Sequence, residues 1–244
     1  MMCRFPSTNW PLVVATREAS PEPGADPLAA LCDQYWYPVY AYLRQRGHRA
    51  EEAEDLTQGF FMHLLRKRVI ERAQPERGRL RSLILACLTN FVANEQQRQR
   101  ATKRGGLLPR IMRPPANPRD VIEPSAELTP ETIYERQWAV MLLRRVLDEL
   151  RAELAREGKQ HVFEALKSCL VGDTADTSYR DAAALLNTTE GNARVAVHRL
   201  RRRYRRLLLD HIARTLHGSA ADVDDEIRYL FTVMQRQSGG EAVS

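Results

Sequence analysis

The chain has 244 residues, 43% of them hydrophobic and 28% charged, which is enough apolar material for one large or two small cores and argues against global disorder. Lys and Arg outnumber Asp and Glu by 37 to 31, for a net charge of +6, and the excess is clustered. Clustered basic charge favours a polyanionic partner.

One basic run is Arg98, Arg100, Lys103 and Arg104; a denser one is Arg194, Arg199, Arg201, Arg202, Arg203, Arg205 and Arg206. Cys3, Cys32, Cys87 and Cys169 lie far apart without a C-x-x-C pair, so neither a zinc site nor a disulfide framework is expected. No metal and no cofactor are expected. Met1 to Asn9 lack a positive stretch followed by an apolar run, and no segment approaches the roughly 18 continuous apolar residues of a membrane span. No membrane partner and a cytoplasmic location follow as expectations.

In chain order, Pro6, Pro11, Pro21, Pro23 and Pro27 keep residues 1–27 from forming a long helix, and this stretch is read as an N-terminal extension. From Leu28 to Arg46, Leu31, Tyr35, Val39, Tyr42 and Leu43 recur at helical spacing, with Pro38 as a local interruption and Gly47 as the stop. A second helix, Ala50 to Lys67, opens on Glu51, Glu52, Glu54 and Asp55, where negative charge suits the positive end of the helix dipole. Its apolar face is Ala53, Leu56, Phe60, Leu64 and Leu65. After a Pro- and Gly-containing loop at 73–78, a third helix from Arg79 to Arg100 carries Leu80, Leu83, Ile84, Cys87, Leu88, Phe91 and Val92. These three helices are expected to form one domain, residues 28–104.

Residues 105–130 hold Gly105, Gly106, Pro109, Pro114, Pro115, Pro118, Pro124 and Pro130 with little periodicity, and read as an extended linker. A second domain, 131–210, opens where Thr129 caps a helix with Pro130 at its first position. The stripe Leu143, Val146, Leu147, Leu150 and Leu154 ends near Gly158, and a short helix from Gln160 to Leu170 stops before Gly172. No segment shows sustained strand alternation. The expected fold is all-α: two small helical domains joined by a Pro/Gly-rich linker.

From Ser178 to Leu209 the pattern is that of a helix-turn-helix. Ser178 and Asp181 form a capping-box pattern ahead of Ala182, Ala183, Leu185 and Leu186; Asn187 supplies the left-handed stop; Thr189 caps a long helix burying Ala193, Val197, Leu200, Tyr204 and Leu207 or Leu208. The small alanines let the second helix cross closely, the geometry that projects it into a DNA major groove. Its exposed face is expected to hold Glu190, Asn192, Arg194, His198 and Arg201, with the arginines further along suited to phosphates.

The run EDLTQGFF, Glu54 to Phe61, resembles the EDLVQETF-like motif of bacterial RNA polymerase sigma factors, and FEALKSCLVGDTADTSYRDAAALLNTTEGNARVAVHRLRRRYRRLL looks like their carboxy-terminal promoter-reading domain. Together the two resemblances cover residues about 28 to 104 and 137 to 210, in the order and with the short linker of the extracytoplasmic-function (ECF) type. The resemblance implies a non-enzymatic subunit that binds core RNA polymerase and promoter DNA, with an anti-sigma factor or other regulator as a possible further partner. Polymerase contacts carried over by the first motif are Asp55, Leu56, Gln58, Phe61 and Met62; Asp55, Gln58, Met62 and Arg66 share one stripe. The third helix and the loop before it would read the minus-ten element as melted strand through Gln74, Arg77, Asn90, Asn94, Gln97, Arg98 and Arg100, with Glu76 also in the loop and Phe91 assigned to the core. The minus-thirty-five element would meet Thr189, Glu190, Asn192, Arg194, His198, Arg199, Arg201, Arg202 and Arg203. The family usually has Glu where Gly59 stands, and often Lys-Ser-Arg where this chain has Arg194, Val195 and Ala196.

Residues 211–244 exceed the minimal family length. Ile227, Leu230, Phe231 and Met234 behind Asp224, Asp225 and Glu226 form an amphipathic pattern, expected to pack on the second domain, with regulator binding as the alternative. Two rival functions stand beside the main one: a stand-alone helix-turn-helix regulator with a sensing or dimerising first domain, and, more distantly, a metal-dependent enzyme using Glu51, Glu52, Glu54 and Asp55.

Overall fold

The computed structural model describes residues 27–69, 79–101, 121–170, 176–215 and 220–235. Among them the protein is all-helical, without strands: α1 (Pro27–Gln45), α2 (Ala50–Arg66), α3 (Leu80–Ala101), α4 (Pro130–Arg156), α5 (Gln160–Leu166) with a 3-10 turn at Lys167–Cys169, α6 (Asp176–Leu185), α7 (Glu190–Thr215) and α8 (Ala220–Gln235). No helix among them is long and apolar enough to cross a membrane. The expected N-terminal extension, most of the expected linker, and Gln74, Glu76 and Arg77 lie outside the described residues.

Two compact units emerge: one made of the residues through Met141 together with those from Ile212 on, the other Leu142–His211. They part inside α4, not in the proline-rich stretch before it. The reason is local to the first unit, because the opening turns of α4 carry Ile133, Tyr134 and Trp138, all buried there.

In that unit α1 continues through Pro38 and buries Tyr35, Trp36, Val39, Tyr42 and Leu43. Helix α2 supplies Phe60, Phe61 and Leu64, and α3 supplies Leu80, Ile84, Leu88 and Val92. Trp36 stacks on Phe61 at 6.0 Å between centroids, and Phe60 meets half-buried Phe91 edge-on at 5.6 Å. Gly47, at φ +90°, ends α1: its N–H reaches the carbonyl of Arg44, and that of His48 reaches Leu43, the paired bonds of a Schellman turn. Before α4, the side chain of Gln45 holds the backbone at Ser125 and Leu128 with three hydrogen bonds. Thr129 then caps the helix by accepting from the N–H of Thr132 at 3.2 Å.

The expectation that the C-terminal segment packs on the second domain is corrected. Helix α8 belongs to the first unit, and Glu226 explains why. Arg81, on the first turn of α3, is 3% exposed and donates to both oxygens of Glu226, which is fully buried, and to Glu135 at 2.6 Å. Its guanidinium also lies 4.7 Å from the Trp138 ring centre and 5.0 Å from that of Tyr229. Arg79 adds a 2.9 Å bond to Glu226, and the Tyr134 hydroxyl donates to the Arg81 carbonyl. A guanidinium taken out of water is tolerable only with such partners. Burial raises the pKa of the Glu135 carboxyl, and the neighbouring Arg81 charge opposes that rise. Leu230 and Val233 seat α8 against its unit, while Phe231, placed in the same apolar pattern from sequence, is exposed.

Removing one member of this group strands a buried charge, so Glu226→Leu is expected to lower unfolding free energy by about 3 kcal/mol in urea titrations. Arg79→Ala, at a partly exposed position, is expected to cost under about 1 kcal/mol. Equal losses in the two variants would contradict the assignment of the buried pair as the fastening.

Candidate nucleic-acid interface

The second unit builds its basic surface on α7. Four residues separate α6 from α7, and the turn is set by backbone chemistry. Asn187 takes φ +47°, its N–H reaches Ala184, and the Thr188 N–H reaches Ala183, closing α6 as Gly47 closes α1. Thr189 then caps α7, its hydroxyl accepting from the N–H of Asn192 at 3.3 Å. Helix α6 starts at Asp176, so Ser178 stands inside it and not at its cap; the Ser178 side chain is outside the described ones.

Ala182 and Ala183 are buried, whereas Leu185 of the same helix is 72% exposed. Helix α7 buries Ala193, Val197, Leu200, Leu207 and Leu208. Tyr204 is half-buried with its hydroxyl 3.4 Å from the Leu143 carbonyl, and burial pushes its pKa up to about 12. His211 is buried with Nε2 2.6 Å from Glu149. This one-sided burial turns the opposite face of α7 to solvent, where Asn192, Arg194, Val195, His198, Arg199, Arg202, Arg205 and Arg206 are exposed.

The arginines divide by what they touch. Arg201 donates Nε and Nη2 to the Cys169 carbonyl at 3.1 and 2.8 Å, tying α7 to the 3-10 turn, and Arg203 pairs with Glu157. Both were expected to face DNA; here both have partners within the unit, because a carbonyl and a carboxylate lie within reach of their long side chains. Arg206 approaches Glu153 at 3.3 Å. Near the helix start, Glu190 accepts from Arg180 at 3.1 Å, the Asn192 amide reaches Thr188, and the Arg194 guanidinium lies 5.0 Å from the Tyr179 ring centre.

Between the turn after α4 and the middle of α7 opens a cleft of about 610 Å³, lined by Glu157, Lys159, Arg199, Arg202, Arg203 and Arg206. Five cations face one carboxylate. Hydrogen bonds from Arg203, then Lys159, hold the Glu157 carboxyl down at about 2, so it stays charged and orients Arg203 at any neutral pH. Its contribution to stability is present above the ordinary carboxylate range and fades only as pH falls toward that value. The cleft is concave, cationic and open to solvent, which suits phosphate oxygens.

In the first unit, Asp55 is exposed, and Leu56 and Met62 are half-buried on α2. Gln58 and Phe61, expected at the same docking face, are buried: Phe61 is stacked against Trp36, and both serve the core of the isolated chain. Gly59 sits within α2, which continues through it. On α3, Asn90, Asn94, Gln97 and Arg98 are exposed along one side, and Arg98 makes only a 3.8 Å approach to Glu95; the Arg100 side chain lies outside those described. His63, missed from sequence, lies 5.5 Å from Phe91 beside this face, its pKa lowered by burial and then by the charges of Lys67 and Arg98. No His, Cys, Asp and Glu side chains converge in threes among the described residues, at Glu51 to Asp55 or elsewhere. No family model matches this chain, and comparison with curated proteins and with solved structures finds no match.

The turn and cap make local predictions. Asn187→Gly is expected to be tolerated, whereas Asn187→Val and Thr189→Ala should each cost about 1 to 2 kcal/mol in denaturant unfolding. A neutral Asn187→Val would show that the positive φ is not needed.

Proposed function

We propose that this chain is an ECF-type RNA polymerase sigma factor, a non-enzymatic subunit that binds core polymerase and directs promoter-specific initiation. The observation that carries the DNA half is the outward face of α7, capped at Thr189 after the Asn187 turn and lined with cations that include Arg199 and Arg202. In this reading α6 and α7 are a helix-turn-helix, the first turns of α7 meet base edges in a major groove, and the cleft beside Lys159 takes backbone phosphates. The polymerase half is supported by the EDLTQGFF resemblance and by an exposed Asp55 beside half-buried Leu56 and Met62. The exposed Asn90, Asn94, Gln97 and Arg98 supply polar groups for single-stranded bases.

A stand-alone DNA-binding regulator is the second reading, and one observation favours it: Gln58 and Phe61 are buried, which leaves a smaller docking face on α2. In vitro transcription with purified core polymerase on genomic fragments separates the two. Discrete start sites that depend on the protein support the sigma reading; duplex binding without such start sites supports the regulator.

Two variants test the residues. Asp55→Lys is expected to weaken capture of core polymerase at least several-fold at unchanged melting temperature, and undiminished capture would count against the docking role of α2. Arg202→Ala is expected to weaken DNA binding on all sequences alike and to lower the slope of log affinity against log salt by about 1. A changed sequence preference with an unchanged salt slope would reassign Arg202 from phosphate to base contact.

A further inference from the structure

Val195 sits in the second turn of α7 on its outward face and is 50% exposed, an apolar side chain in a basic field. Helical spacing sets it between Gly191 and Asn192 one turn back and His198 and Arg199 one turn on, with Arg202 two turns on. Gly191 carries a related signal. A Cβ built there would meet nothing nearer than the Thr189 hydroxyl at 3.9 Å, so alanine fits and would favour the helix. Packing among the described residues therefore does not require glycine at this position; a closely approaching partner would. Glu190, Asn192 and Arg194, the polar neighbours expected to read bases, are each engaged within the unit, by Arg180, Thr188 and Tyr179.

We propose that Val195 is a specificity-determining residue that packs on the C5-methyl group of a thymine, with Gly191 letting the helix approach the groove closely enough for that contact. The inference rests on the DNA-binding reading of α7. The basic face selects a polyanion, and on the major-groove edge of DNA the thymine methyl is the apolar feature that a valine can match. Arg199 and Arg202 further along the same face would then fix the register by phosphate contacts.

The test uses the full-length chain, with and without core polymerase, and a 30-base-pair duplex recovered by that chain from a random-sequence pool. Each thymine in the duplex is replaced in turn by deoxyuridine, which deletes only the methyl. Binding is expected to fall about fourfold at one position, the ratio that burial of one methyl group corresponds to. Val195→Ala is expected to bind the thymine and deoxyuridine duplexes alike, while Arg202→Ala weakens both and keeps the ratio. Gly191→Ala is expected to raise the melting temperature yet weaken the duplex, a combination that a purely structural glycine would not produce. If the duplex is bound through Arg202 but no deoxyuridine substitution matters, or if the sensitivity survives in Val195→Ala, the thymine contact is overturned and DNA binding stands. If no duplex is recovered under either condition, both are overturned.

Discussion

A buried guanidinium governs the first unit. Arg81 on α3 is out of water, so it must be met by carboxylates, and the two that meet it come from α4 and from α8. That requirement draws the opening of α4 and the C-terminal helix into one structure with α1, α2 and α3, although Arg81 and Glu226 are 145 positions apart. Trp138 and Tyr229 complete the enclosure with their ring faces, which attract the cation and exclude water. A three-helix bundle with small stripes would be marginal alone; two added helices enlarge the buried apolar area on which stability depends.

The second unit solves a different problem, the concentration of positive charge on one helix. Seven arginines between positions 194 and 206 repel one another, and the unit uses some of them internally. Arg201 donates to the Cys169 carbonyl of the 3-10 turn, Arg203 is clamped by Glu157, and Arg206 leans on Glu153. The proposed phosphate contacts fall to Arg199, Arg202 and Lys159 along one open cleft, and the proposed base contacts to the first turns of the helix.

Under the proposed DNA-binding role, function and stability draw on α7 in opposite senses. Capping at Thr189 and the left-handed Asn187 order the turn between α6 and α7, whereas Gly191 loosens the first turn of α7 with no packing reason among the described residues. A base-reading helix is expected to carry such a compromise, since the side that would approach another molecule is not free to optimise its own fold.

From the chain alone, the all-α character, the positions of the helices and most of their ends were legible, because those features depend on neighbours three or four residues away and on single residues such as Gly47, Asn187 and Thr189 whose backbone preferences act locally. The outward basic face of α7 was legible for the same reason. What only tertiary structure decided were the matters of long-range partnership. Leu185 stays outside, Gln58 and Phe61 go inside, Arg201 and Arg203 are spent on Cys169 and Glu157, and α8 joins the first unit through Glu226. Periodicity states that a face is apolar or charged, but a long side chain reaches whichever opposite charge the fold brings near, and that proximity exists only once the helices have packed.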